Sequence, residues 1–364
     1  MSRISKNRYQ PDYSISPGEI LSEALDERGL SQSDLAQRTG RPIKTINEII
    51  QGKTSITPET ALQLERVLNI PSKFWLNLET NFQTFIVREK ERERLQNYTY
   101  LLDQIPVASL VKEGWIEKYG NPVDQIQEVL NFYGIASPEI WENQWLSPKI
   151  SARALETLSK EPGATSAWLR QGEILSQKLK CSSFDAKVFK ESILLFRELT
   201  IEPQDVFQNE LVRLCALSGI ALVFVHGIPK APIGGATRWL TPNKALIQLS
   251  LRHATDDHFW FTFFHEVAHI LLHGKREIFI DDDPDSAEDI KEHEANDFAC
   301  DTLMPPKHLA EFISKKRFDK KSVVAFAKEI GIAPGIVVGK LQRDRHIKSD
   351  QLNDLKTRLK SIDR

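Results

Sequence analysis

The sequence predicts a mainly α, multidomain protein: an N-terminal five-helix bundle, a helical middle, and a C-terminal α+β domain with a small antiparallel sheet. Length is the first reason, because 364 residues exceed one ordinary hydrophobic core. Punctuation is the second: prolines, glycines and Ser/Thr/Asp caps cut residues 17 to 216 into short segments with helical apolar spacing. The third is a change of texture at Gly219, where short β-branched runs replace that spacing.

Within the first segment, Pro17 and Gly18 open a helix carrying Ile20, Leu21, Ala24 and Leu25 on one face, and Gly29 stops it. Ser31 is an N-cap for “SQSDLAQRT”, with Asp34 three residues on in the capping-box position. Gly40 closes that helix. “RPIKTINEIIQG” follows, with Pro42 in its first turn, Ile43, Ile46 and Ile50 expected inward, and Gly52 as its stop. Thr57-Pro58 and Pro71 open two more helices, and the charge run “REKERER” from Arg88 to Arg94 reads as a solvated helix surface ending the domain at residue 94. Residues 95 to 216 hold helical segments such as “NPVDQIQEVLNFYG” and “DAKVFKESILLFREL” and no catalytic constellation, so they read as a helical connector. Residues 217 to 340 form the α+β domain, and 341 to 364 a charged helical tail. “IALVFVHGI”, “GATRWL” and “ALIQLSL” are its strands, the last two joined by the turn “TPNK” as a hairpin.

Composition narrows the function classes. Hydrophobic residues make up 41% and charged residues 27%, a globular balance. The net charge of −2 supplies no global basic field, so nucleic acid would have to meet a local patch. Cys181, Cys215 and Cys300 are scattered and odd in number, which argues for a reducing cytoplasm and against a disulfide framework. The N-terminus lacks an apolar core, and no stretch reaches the roughly 18 apolar residues of a membrane span, so no membrane partner is expected.

Chemistry concentrates in “FTFFHEVAHILLHG”, Phe261 to Gly274. His265 and His269 stand four apart, so a helix projects both from one face with the bite that a single zinc accepts. Glu266 lies roughly 100° round from His265, in reach of a water in the ion's open position. An ion there polarises a scissile carbonyl and lowers the pKa of water to about 7, while Glu266 takes the proton and passes it to the leaving amine. Two histidines leave zinc, or another divalent ion such as manganese, one protein ligand short.

“KEHEANDFACDTLM” offers Glu292 and Glu294 for that place. With Ala295, Phe298, Ala299, Thr302 and Leu303 as the buried face, Glu292 and Asn296 lie at its edge and Glu294 points away. The wheel therefore favours Glu292 as ligand, with Asn296 orienting the site and Glu294 as the competitor. His273 reads as an end-of-helix histidine in a local hydrogen bond, and Cys300 as packing. Leu272 and Lys275 occupy the places where a metzincin needs glycine and histidine, which excludes that class. No tyrosine follows Tyr133, so any oxyanion donor would be a histidine or arginine. “ALIQLSL” is either an edge strand that holds an extended substrate or an internal strand, and the acidic loop Asp281 to Asp289 is either a gate or an ordinary surface loop.

These residues carry a resemblance. “FTFFHEVAHILLHG” followed by “EHEANDFACDTLMP”, with a hairpin upstream, resembles the ImmA/IrrE family of metallo-endopeptidases over about residues 219 to 340. The resemblance implies a zincin-like domain with His265, His269 and Glu292 as ligands and Glu266 as general base. It also implies a protein substrate, since characterised members are associated with cleaving repressor-type DNA-binding proteins.

At the other end, “SQSDLAQRTGRPIKTINEIIQGK” has helix-turn-helix proportions. Lys44, Thr45, Glu48 and Gln51 point outward from its second helix, flanked by Arg41 and Lys53; with Gln32 they form the candidate contacts to phosphates and base edges. Residues 15 to 85 resemble the XRE-type domain of HigA-type antitoxins, which implies a homodimer, double-stranded operator DNA and a cognate toxin as partners. The expectation is a cytoplasmic regulator whose zinc endopeptidase domain cleaves a regulatory protein. The rival is a non-enzymatic antitoxin and autorepressor with a structural or sensory metal site, against which the intact Glu266 argues.

Overall fold

The computed structural model describes residues 13–145, 161–231, 233–251, 255–274, 279–281 and 290–360. The chain divides into two compact units, one ending at Tyr98 and the other beginning at Thr99.

The first unit is the five-helix bundle: α1 (Pro17–Glu27), α2 (Gln32–Thr39), α3 (Ile43–Ile50), α4 (Pro58–Leu68) and α5 (Ser72–Leu95). Its caps follow the sequence. Ser31 Oγ accepts from Asp34 N at 3.1 Å while Asp34 Oδ2 accepts from Ser31 N at 2.9 Å, a reciprocal box. Gly40 ends α2 at φ 71°, a left-handed position that suits glycine. Leu21, Leu35, Ile46, Leu64 and Trp75 fill the core. Gly18 is required by contact, since a Cβ there would collide with the carbonyl oxygens of Ile49 and Ile50. Ile49, with Ile46, is buried, whereas Ile43 is 54% exposed, contrary to the expectation from spacing. The “REKERER” run is the end of the 24-residue α5.

The second unit opens with α6 (Leu101–Gln104), α7 (Val107–Lys112), α8 (Pro122–Tyr133), α9 (Pro138–Trp145), α10 (Pro162–Ser176), α11 (Ala186–Glu198) and α12 (Gln204–Leu217). The strands are β1 (Ile220–Phe224), β2 (Gly235–Thr241), β3 (Lys244–Leu249) and β4 (Phe279–Asp281). The remaining helices are α13 (Asp256–Leu272), α14 (Ile290–Leu303), α15 (Pro306–Ser314), α16 (Lys320–Ile330) and α17 (Pro334–Arg343).

The sheet order is β1-β3-β2-β4, and it is mixed rather than purely antiparallel. The β2–β3 hairpin forms as expected, and β4 adds antiparallel to β2, but β1 pairs parallel with β3. The reason is topological: after β1 the chain returns as a hairpin whose second strand takes the place beside β1.

Alternation along the strands divides the unit into two cores. Ile220, Leu222, Ala245, Ile247 and Leu249 face a core shared with α11, α12 and α13. Ala221, Val223 and Leu246 face another, containing Tyr133, Trp141 and Trp168. The helical middle is therefore not a separate connector. From Thr99 onward it belongs to the same unit as the sheet, because the sheet's second face would otherwise be an apolar surface in water. Polar pins join the layers: Arg238 pairs with Glu173 at 3.1 Å, and Gln248 Nε2 donates to Trp168 O at 2.6 Å.

The expected helical tail is also corrected. After α17 the chain forms turns, a short 3-10 turn at Asn353–Leu355, and a bridge from Arg358 to Thr255. This strap is held at the start of α13, where Asp256 Oδ1 accepts from both Asp257 N and Thr357 N at 3.0 Å. Lys356 pairs with Asp257 at 2.6 Å, and Leu359 is buried. The clamp supplies local partners that a free helix would lack. Among the described residues no single helix is long and apolar enough to cross a membrane.

Burial pushes the Asp256 carboxyl up from 3.8 to about 6, against the two backbone donors that favour its anion. A raised folded-state pKa contributes stability that is present below the unfolded value and lost as pH rises through about 6. Asp256→Asn keeps an acceptor for both N–H groups and removes the buried charge. Urea unfolding should show the variant gaining on the wild type, by on the order of 3 kcal/mol, between about pH 4 and pH 7. Parallel stability profiles would refute the assignment.

Candidate functional site

Helix α13 is buried nearly all round, with Phe259, Trp260, Phe263, Phe264, Val267 and Ile270 packed in the core, and this fixes its rotation. His265 and His269 consequently share one face turned toward α14. From α14, Ala295, Ala299 and Leu303 pack inward, which carries Glu292 and Asn296 onto α13. Arg197 steadies the far end of α14: its Nε donates to Thr302 O at 2.9 Å and its Nη2 to Ile330 O at 2.5 Å.

The three candidate ligands converge. His265 Nε2 lies 2.9 Å from His269 Nε2 and 3.1 Å from Glu292 Oε2, and His269 Nε2 lies 3.5 Å from Glu292 Oε1. Relative exposures are 1%, 2% and 3% for His265, His269 and Glu292, so three lone-pair donors meet in a nearly dry interior. A tetrahedral ion with bonds of about 2.0–2.1 Å would space its ligands about 3.3 Å apart. The observed triangle fits that spacing, and a divalent cation compensates both the carboxylate charge and the imidazole lone pairs.

The other nitrogen of each histidine is also engaged. His265 Nδ1 is 3.0 Å from Asn296 Oδ1, a contact able to orient the ring. His269 Nδ1 lies 2.8 Å from His273 Nδ1, and His273 Nε2 lies 3.1 Å from Glu294 Oε2. Glu294 thus stands away from the ligand triangle and on His273. The sequence signals were the fourth-residue spacing of His273 and a second carboxylate on α14, but periodicity could not join them across two helices.

Glu266 is 0% exposed and lies between α13 and the start of β2. A Cβ on Gly235 would come within 2.6 Å of Glu266 Oε1, so β2 passes the acid only because residue 235 is glycine. Sequence reasoning missed Gly235, since contact between β2 and α13 is long-range. Strand β3 is internal, paired on both sides by β1 and β2, and has no free edge for a substrate strand. Cys300 is half-buried and its thiol is pushed up by burial. The suggested gating loop lies outside the described residues beyond Asp281.

On the first unit, Lys44, Gln51 and Lys53 are exposed at or beside α3, and Thr45 and Glu48 are half-buried there. Glu48 is 3.8 Å from Lys44, which reduces the repulsion a phosphate would meet. Gln32 accepts from Asn47 Nδ2 at 3.4 Å, tying the first turn of α2 to an exposed α3 residue that the candidate set omitted. Arg41 is turned toward α4, hydrogen-bonded to Gln63 and 3.6 Å from Glu59.

This geometry defines a two-unit protein with a helix-turn-helix bundle and a buried HExxH-type centre, and comparison with known proteins agrees. A helix-turn-helix family model matches residues 21–75, and the IrrE N-terminal-like domain of the peptidase M78 family matches residues 228–341. An HTH-type transcriptional regulator, YddM, of Escherichia coli K12 is 35% identical over 63 residues, 17% of this chain and 67% of that protein. A second, from Haemophilus influenzae, is 36% identical over 78 residues, 21% of this chain and 73% of its own. A HigA-family addiction-module antidote protein of Coxiella burnetii is 32% identical, covering 23% of this chain and 91% of that one, with a TM-score of 0.22. The chain belongs to the XRE-type helix-turn-helix family through its first unit and carries an IrrE-like peptidase M78 domain in its second.

Metal content measured on purified protein saturated with zinc should be one equivalent for the wild type. Glu292→Ala should lose it and Glu294→Ala should keep it. Equal retention in both variants would remove Glu292 from the ligand set.

Proposed function

We propose that this chain is an antitoxin-like transcriptional repressor whose second unit is a zinc-dependent endopeptidase acting on a regulatory protein: a partner, a cognate toxin or the chain itself. The observation that carries the reading is the convergence of two imidazole Nε2 atoms and the Glu292 carboxylate, with Glu266 on the same helix as the two histidines. His265, His269 and Glu292 would hold the ion, which when bound acts as a Lewis acid toward a carbonyl and lowers the pKa of water. Glu266 takes a proton from the attacking water as its oxygen bonds to the scissile carbonyl carbon. It delivers that proton to the amide nitrogen as the C–N bond breaks. Burial keeps both carboxylates in fixed positions for these transfers.

In the first unit, Lys44, Gln51 and Lys53 present a local basic and amide-bearing face suited to operator DNA, read by a homodimer in the cytoplasm. One observation favours a second reading. Glu266 and all three ligand side chains are nearly sealed from solvent, as befits a structural or sensory ion in a non-enzymatic antitoxin and autorepressor.

One pair of variants separates these readings. Glu266→Gln should retain zinc and operator binding while cleavage of cellular partners falls at least about 100-fold, read by mass spectrometry of newly formed protein N-termini. Lys44→Ala should leave cleavage intact and weaken binding to operator fragments selected from genomic DNA, with a salt slope lower by about one. Unchanged cleavage products in Glu266→Gln would leave the non-enzymatic reading standing.

A further inference from the structure

Helix α13 ends in an arrangement that the ligand set does not explain. His273 is its C-cap, with φ −111° and ψ 167°, so the backbone has left the helix although its N–H still donates to His269 O at 3.3 Å. That extended conformation turns the His273 ring back on His269, with ring centroids 5.0 Å apart and the two Nδ1 atoms 2.8 Å apart. Two ring nitrogens at that distance need a proton between them, and one must donate. The far end of the chain sets the direction. The Glu294 carboxylate oxygen is the acceptor, so His273 Nε2 donates on that side at 3.1 Å. His273 Nδ1 is then the acceptor, and His269 donates its Nδ1–H into it. The His269 Nε2 lone pair is left facing His265 and Glu292.

We infer that His273 and Glu294 are positioning residues: Glu294, acting through His273, holds His269 in the Nδ1–H tautomer with Nε2 turned into the ligand triangle. The inference rests on the metal-site reading, because an ion in the triangle is what takes the Nε2 lone pairs of His265 and His269 that face each other 2.9 Å apart. The two ligand histidines are oriented by different devices. His265 has a direct amide partner on α14, whereas His269 is reached from the same helix through an intervening imidazole. The His273 side chain is only 3% exposed and Glu294 is 56% exposed, so the outer end of the relay is at the surface and can be changed without opening the core.

The experiment has two independent readouts on the full-length chain. Long-range proton–nitrogen correlation spectra of zinc-saturated, ¹⁵N-histidine-labelled protein report which nitrogen of His269 carries hydrogen. Competition with a chromophoric chelator reports zinc affinity. The wild type should show the Nδ1–H form of His269. His273→Ala should allow the Nε2–H form and lower zinc affinity about 10- to 100-fold, the usual effect of removing such a partner. Glu294→Ala should lower affinity several-fold, and Glu294→Gln, which keeps an acceptor oxygen, should restore most of it.

A wild-type His269 protonated at Nε2, or zinc affinities in both alanine variants equal to wild type, would overturn the inference. A wild type that takes up no zinc would defeat the metal reading and the relay's purpose with it, whereas zinc uptake with unchanged affinities in the variants defeats the relay alone. If His273→Ala fails to fold, the two Glu294 variants decide alone.

Discussion

Burying four ionisable groups, His265, Glu266, His269 and Glu292, inside an apolar helix packing is the constraint around which the second unit is built. Helix α13 presents aromatic and aliphatic side chains nearly all round, so it can exist only with protein on every side. The sheet, α14, α17 and the C-terminal strap supply that surround. Within it His265, His269 and Glu292 cannot find water, and each needs a partner or an ion. The same burial that makes such groups costly makes their directions definite, because a side chain with no room has few rotamers to choose.

Fixing those directions takes elements distant in the chain. Arg197 holds the end of α14 through the carbonyls of Thr302 and Leu303, and also reaches Ile330 at the end of α16. Asp256 and Asp257 fasten the start of α13 to the strap through Thr357 and Lys356. Gly235 lets β2 pass against Glu266 where any side chain would displace the carboxylate. A buried carboxyl at Asp256 also makes the clamp sensitive to pH, so the support of the site and its stability are linked through the same residue. In the first unit Gly18 lets α1 pass against the last carbonyls of α3, at Ile49 and Ile50.

Much of this was legible in the sequence because it is local. Caps, stops and the capping box at Ser31 and Asp34 depend on neighbours within one turn. The pairing of His265 with His269 follows from the helical repeat, and the inward side of α14 from the spacing of Ala295, Ala299 and Leu303. Reading failed where a choice depended on contacts far along the chain. Ile43 obeys the apolar spacing yet is exposed, because α1 approaches α3 on the side of Ile46 and Ile49. The middle helices carry no chemistry and so looked like a connector, although the sheet's second face needs them.

What the sequence determined by itself, then, is the list of parts: the helix-turn-helix, the histidine pair with its glutamate, and the helix able to bring a second carboxylate. Each is written in a period of roughly 3.6 or 2 residues that the chain can satisfy alone. Tertiary structure decided how the parts meet. The angle at which α14 crosses α13 puts Glu292 on the histidine pair and Glu294 on His273. The return of the hairpin beside β1 makes the sheet mixed and β3 internal. Those outcomes follow from packing of surfaces separated by tens of residues, where neither periodicity nor capping carries any information about distance.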